Sequence, residues 1–177
     1  MNRFLIPLIA FALLAVVLAV GVKRSPQKSI LPSALVGRPA PPFSLPELLA
    51  SGQNSGPERY KGRWFAMNVW ATWCVECRRE HATLLQAQRD GRIPLLGLDW
   101  KDDDNAAREW LTSLGDPYDV VVVDRDGKVA IDYGVYGAPE TFLVNDKGEV
   151  VYRHVGPLDW ASWETEFLAR LPGKESP

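Results

Sequence analysis

Apolar residues fall into three kinds of run along this chain. The first is unbroken: no charged residue interrupts Phe4 to Val22, Arg3 precedes it, and Lys23 and Arg24 follow. At about 1.5 Å per residue, a helix over 4–22 spans roughly 28 Å, close to the thickness of a bilayer core. We expect a transmembrane signal anchor over 4–22, with residues 1–3 as a cytoplasmic N-terminus. A cleaved signal peptide fits less well, because its apolar region is shorter. Flanking charge does not fix the orientation, since Lys23, Arg24 and Lys28 slightly outweigh Arg3 and the amino terminus.

The second kind is short and bounded, and reads as strand. Trp64–Trp70, Ile93–Trp100 and Val120–Val123 are buried strands, and Phe43-Ser44-Leu45 alternates as a short edge strand. Thr141–Val144 and Glu149–Tyr152 flank the turn Asn145-Asp146-Lys147-Gly148 and predict a hairpin. The third kind is helical. Val75 to about Arg89 follows the first strand. Ala107, Trp110, Leu111 and Leu114 recur at i, i+3, i+4 and i+7, behind Asp102, Asp103 and Asp104 at the helix start. Those three acids lack the spacing and glycine of a calcium loop. A last helix buries Trp160, Trp163, Phe167, Leu168 and Leu171, with Asp159 as cap and Pro172-Gly173 as stop. Ser25–Pro42 is rich in Pro and Ser. Residues 23–36 are expected as a linker, 37–173 as the folded domain and 174–177 as a tail. The order β-α-β-α-β, hairpin, helix implies an α/β fold with a central mixed sheet flanked by helices.

Composition narrows the function classes. In 177 residues, 46% apolar and 24% charged content is that of a globular chain with a core. The net charge of −2 lacks the basic excess of a nucleic-acid binder. The two cysteines, Cys74 and Cys77, are too few for a disulfide framework.

Their position carries the chemistry. In Trp70-Ala71-Thr72-Trp73-Cys74-Val75-Glu76-Cys77 a strand runs straight into a Cys-x-x-Cys that opens a helix. That is the layout of a thiol–disulfide oxidoreductase, at the strand end where open α/β sheets place their sites. Unpaired N–H groups and the helix dipole favour the thiolate of Cys74, the expected nucleophile and the more exposed of the pair. Cys77, one turn on, is the expected resolving thiol. Arg78 stands where covalent haem attachment needs His. Glu76 and Glu80 are candidates for raising the cysteine pKa values and keeping the protein reducing. In Gly137-Ala138-Pro139-Glu140-Thr141 a turn enters the hairpin strand. Most X-Pro bonds are trans, yet this position suits a cis bond at Pro139 that presents Ala138 for pairing with an extended substrate. Trp73, Ala138 and Pro139 are therefore the candidate substrate-binding residues. His81, at i+4 from Cys77, completes a Cys-x-x-Cys-x3-His pattern that opens a metal reading. His154 reads as structural.

The stretch Asn68 to His81, together with Gly134-Val135-Tyr136-Gly137-Ala138-Pro139-Glu140-Thr141-Phe142, closely resembles the cytochrome c maturation thioredoxins of the DsbE/CcmG family. Trp100-Lys101-Asp102-Asp103 and Tyr152-Arg153-His154-Val155-Gly156 are similar to it as well, and the likeness covers nearly the whole chain. The resemblance implies a thioredoxin-like fold on a single-pass inner-membrane anchor, with the domain in the periplasm. It implies a reductant for the haem-attachment Cys-x-x-Cys-His of apocytochrome c, acting directly or through another thiol assembly protein, and re-reduced by a DsbD-type transmembrane thiol carrier. By position it implies Cys74 as nucleophile, Cys77 as resolving thiol, Pro139 as cis-proline and Glu80 as the acidic residue of the active-site helix. Two departures stand out. Val75-Glu76 replaces the family's frequent Pro-Thr, and Asn68 occupies the place of the buried Asp of ordinary thioredoxins, as it does in this family. No cofactor or resident metal is expected. The rival from another class is a copper-binding assembly factor using Cys74, Cys77 and His81, since soft thiolates suit Cu(I).

Overall fold

The computed structural model describes residues 5–24 and 34–173. Contacts divide the chain into two units, Met1–Leu31 and Pro32–Pro177. Of the segments expected from the sequence, residues 1–3, 25–33 of the linker and the tail 174–177 lie outside the described residues.

In the first unit, α1 runs Leu5–Arg24, so Lys23 and Arg24 close a helix instead of opening a linker. Its described side chains, residues 6–20, are all exposed and apolar on every side of the helix. Among the described residues no helix is long and apolar enough to cross a membrane.

The second unit opens with β1 (Arg38–Pro39), β2 (Leu45–Pro46), β3 (Asn54–Ser55) and a 3-10 turn at Pro57–Tyr60. The alternation follows as β4 (Phe65–Trp70), α2 (Val75–Asp90), β5 (Leu95–Trp100), α3 (Asp104–Leu114) and β6 (Val120–Asp124). Then come α4 (Lys128–Asp132), β7 (Glu140–Val144), β8 (Glu149–Val155) and α5 (Trp160–Ser162). One six-stranded sheet has the order β1-β8-β7-β4-β5-β6. Strands β4, β5 and β6 are parallel, whereas β7, β8 and β1 pair antiparallel.

Strand β4 is buried at every position because both sheet faces are covered. Its side chains alternate between two cores. Ala66 and Trp70 point to the core shared with Leu84, Trp110 and Trp163, which also holds both cysteines. Phe65, Met67 and Val69 point to the core of Tyr60, Val129, Tyr133 and Phe142.

The expected edge strand forms at Leu45–Pro46, paired with Asn54–Ser55 in a two-stranded sheet, and Glu47 beside it bridges Val122 of β6. After β6 comes α4, which is too short to carry a helical period in the sequence. The Asp124 carboxylate caps it, accepting from Val129 N–H at 3.3 Å and Ala130 N–H at 2.9 Å. The final helix is regular for three residues only, then continues as a π-turn (Trp163–Phe167) and a 3-10 turn (Leu168–Arg170). Its Asp159 cap is as expected, accepting from Ser162 N–H at 2.7 Å.

Candidate active site

Helix α2 begins at the end of β4, and Cys74 is its N-cap residue. Cys74 and Cys77 are joined by a disulfide with S–S 2.08 Å and Cα–Cα 5.3 Å. The Cys77 N–H donates to Cys74 Sγ at 3.0 Å. The first sulfur thus takes the capping role that an oxygen usually fills, at the positive end of a 16-residue helix. A negative charge on Cys74 Sγ after reduction is stabilised by the same donors. Oxidised, Cys74 and Cys77 are both buried, at 5% and 2% exposure, so the expected difference between them is small. The exposed groups are their neighbours Trp73 and Val75. Trp73 is not loose: its indole donates to the Lys101 carbonyl at 3.2 Å and its ring lies 5.7 Å from that of Trp100.

Glu76 and Glu80 part company. Glu76 lies at the surface and pairs with Arg79, with Nη1–O distances of 2.7 and 3.0 Å, so its charge is met in solvent. Glu80 is buried one turn below Cys77. Its Oε1 accepts from Asn68 Nδ2 at 2.8 Å and its Oε2 from Leu158 N–H at 2.8 Å. Asn68 also donates to Thr141 Oγ1 at 3.0 Å and accepts from the Tyr118 hydroxyl at 2.8 Å. Asn68 thus ties α2, β7 and the segment before β6 to one buried carboxyl. Burial pushes Glu80 up to about 8 against the pull of its two donors. A carboxyl raised by folding binds its proton more tightly in the native state. Its stabilising contribution is complete below about pH 4.5 and lost as pH rises through about 8. Thermal unfolding should therefore show Tm falling between pH 5 and 8, with a shallower fall in Glu80→Gln.

The Ala138–Pro139 peptide is cis. Ala138 packs against the core that contains both cysteines. Next to Pro139, the Glu140 carboxylate accepts from Arg153 Nε at 2.8 Å and from Tyr136 N–H at 3.3 Å, and lies 2.6 Å from Arg153 Nη2 as an ion pair. Arg153 also donates to the Gly134 carbonyl at 3.0 Å, and its guanidinium lies 5.1 Å from the centre of the Tyr136 ring. A buried ion pair thus holds both ends of the Gly134–Pro139 loop. The described clefts lie elsewhere. One of about 430 Å³, between Pro39, Tyr60, Phe65 and Lys147, opens beside the start of β4. None of the described clefts is lined by Cys74 or Cys77.

Residues 35–168 match the Redoxin family model. The chain is 44% identical over 175 residues to the thiol:disulfide interchange protein DsbE of Allochromatium vinosum, covering 97% of this chain and 96% of the relative. To DsbE of Escherichia coli K12 it is 43% identical over 167 residues, covering 92% and 90%. This chain belongs to the DsbE family. Among solved structures, that of a Chlorobium tepidum protein assigned as DsbE superposes with a TM-score of 0.63 at 27% identity, over 74% of this chain and 94% of the other. DsbE proteins are thiol:disulfide interchange proteins, so this one is a thiol–disulfide oxidoreductase working on thiol-based redox partners.

The third ligand of the copper reading is already engaged. His81 is buried, its Nδ1 accepting from the Trp110 indole at 3.2 Å and its Nε2 meeting the Gly115 carbonyl at 3.0 Å. Burial lowers its pKa, and the neutral ring locks α2 to α3. Among the described residues no group of three or more His, Cys, Asp or Glu is placed to hold a metal ion. His154 is half-buried, and its Nε2 meets the Pro157 carbonyl at 3.4 Å.

Sequence reasoning passed over four residues that the fold brings to this end of the sheet: Asp99, Tyr118, Glu140 as an ion-pair partner, and Arg153. Polar residues within otherwise buried strands, Asp99 and Glu140 among them, were the available signal.

Proposed function

We propose that this chain reduces the disulfide of the Cys-x-x-Cys-His haem-attachment segment of apocytochrome c, directly or through another thiol assembly protein. The Cys74 thiolate attacks one sulfur of the substrate disulfide, forming a mixed disulfide and releasing the first substrate thiolate. The Cys77 thiolate then attacks Cys74 Sγ, the second substrate thiolate leaves, and the Cys74–Cys77 disulfide remains. Two electrons pass to the substrate, and a DsbD-type transmembrane thiol carrier restores them. Trp73 and the backbone of Ala138 beside Pro139 receive the extended substrate, while Glu80 beneath Cys77 sets the cysteine pKa values. Residues 4–22 hold the protein in the inner membrane, with the domain in the periplasm.

The observation that carries this reading is the reach of the likeness to DsbE, which covers 97% of the chain and so includes the N-terminal apolar segment. The uncovered apolar surface of residues 6–20 is consistent with a lipid environment.

A trap tests it. The reduced full chain carrying Cys77→Ser, in mild detergent, is mixed with an oxidised Cys-x-x-Cys-His peptide and with an unrelated disulfide peptide of equal size. At least tenfold more mixed disulfide through Cys74 with the haem-site peptide is expected. Equal capture would reduce the assignment to a general reductase, and no capture by a demonstrably free Cys74 thiol would overturn it.

A further inference from the structure

Beneath the active-site loop lies a carboxyl group that the exchange chemistry does not use. Asp99, near the end of β5, is 0% exposed, and neither of its oxygens receives a hydrogen bond. Its strand neighbours are Trp70 of β4, the last residue before the loop to Cys74, and Val123 of β6. The charged and titratable groups around it are Asp102 in the turn after β5, Asp104 at the start of α3, Arg125 after β6 and the phenol of Tyr118. Arg125 pairs with Asp104 at the surface.

Asp102 is the residue that grips the active-site loop. Its carboxylate accepts from the Thr72 N–H, from the Thr72 hydroxyl at 2.7 Å and from the Asp103 N–H at 2.9 Å. The same turn receives the Trp73 indole at the Lys101 carbonyl. Lys101 itself takes φ +50°, a left-handed conformation held by its N–H bond to the Asp124 carbonyl at 3.1 Å. Gly127 leaves the room this turn needs: a Cβ there would stand 2.2 Å from Lys101 Cε and 2.8 Å from Trp100 Nε1. Residues 100–102 thus form a clasp on Thr72 and Trp73, immediately before Cys74.

Asp102, in the turn that β5 leads into, stands three residues on from Asp99 and is the strongest of the charges acting on it. A carboxylate so placed makes ionisation of a second, buried carboxyl costly. Donors stabilise a carboxylate; Asp102 has three and Asp99 has none, so Asp99 is the one that keeps its proton. Burial first, and then the charges of Asp102 and Asp104, push Asp99 up to about 8.

We propose that Asp99 is a proton-dependent positioning residue for the active-site loop. As a neutral carboxylic acid it leaves Asp102 held against Thr72. On losing the proton it repels Asp102 and slackens the clasp on Thr72 and Trp73. This rests on thiol–disulfide exchange at Cys74 and is independent of which disulfide is reduced.

The oxidised full chain in detergent provides the test, because no thiol titrates there. The Thr72 amide and Trp73 indole N–H resonances should follow one common titration with a midpoint near pH 8. Asp99→Asn carries no charge at any pH and should abolish that titration. Asp102→Asn removes the like charge and should move the midpoint down by a pH unit or more. Resonances flat from pH 6 to 9.5 in the wild type, or a titration that persists in Asp99→Asn, would overturn the proposal, as would an unmoved midpoint in Asp102→Asn. The functional readout is the ratio of Asp99→Asn to wild-type exchange rates, in which the cysteine titrations cancel. That ratio should rise at least threefold between pH 6.5 and 9. A ratio independent of pH would overturn the link to the reaction.

Discussion

Cys74→Ser lowers disulfide exchange to the uncatalysed level, whereas Cys77→Ser still attacks its substrate and stops at the mixed disulfide. The asymmetry follows from where each sulfur sits. Cys74 Sγ is the cap of α2, with the Cys77 N–H directed at it from 3.0 Å. A negative charge there is met by the N-terminal end of the helix. Cys77 lies one turn inside, and attack on Cys74 Sγ is its available reaction once a mixed disulfide forms. The measurement is single-turnover exchange from the fully reduced protein, with the mixed disulfide quantified by mass. Exchange surviving in Cys74→Ser, or a stable adduct on Cys77 in the wild type, would reverse the two roles. The serine also retains a hydrogen-bond acceptor for α2, so Tm should change little and the lost rate can be assigned to chemistry.

Arg153→Met is expected to carry the largest stability effect. Arg153 and Glu140 form a pair whose side chains are 6% and 0% exposed, with contacts of 2.6 and 2.8 Å. Removing the guanidinium leaves the Glu140 carboxylate buried without its counter-charge, and breaking a buried pair from one side costs about 3–5 kcal/mol. Burial already raises the Glu140 pKa, and Arg153 is the strongest group opposing that rise. The Gly134 carbonyl loses its donor as well. Denaturant unfolding should therefore show a lower midpoint with an unchanged m-value. The double variant Arg153→Met with Glu140→Gln should recover a large part of the loss, because no unpaired charge then remains. Additive losses in the double variant would show that packing of the arginine stem, not charge, holds the loop.

Local patterns make several features of this protein legible in its sequence. A run of buried apolar residues ending at Trp70, followed by Cys-x-x-Cys, locates the strand–helix junction, because only a short loop lies between them. The i, i+3, i+4, i+7 spacing of Ala107, Trp110, Leu111 and Leu114 states both the helix and its buried face. Asp103 and Asp159 announce helix starts through the side-chain oxygens that cap them. Helix α4 escaped because five residues complete little more than one turn, too few for a period. The irregular end after Ser162 escaped because π and 3-10 turns share the hydrophobic spacing of an α-helix to within a residue.

The sequence by itself determined the mixed α/β order, the pair of cysteines, the helix that activates the first of them and the apolar N-terminal segment. All of these rest on interactions between residues close in the chain. Tertiary structure alone decided the environment of the buried charges. Glu80 meets Leu158 across 78 residues. Arg153 finds Glu140 across the β7–β8 pair. Asp99 comes to lie beneath the Thr72 loop because β4 and β5 are parallel and in register there. A carboxyl's pKa and role depend on which distant donors and charges the fold places around it, and on how completely water is excluded. Neither is written in its sequence neighbours.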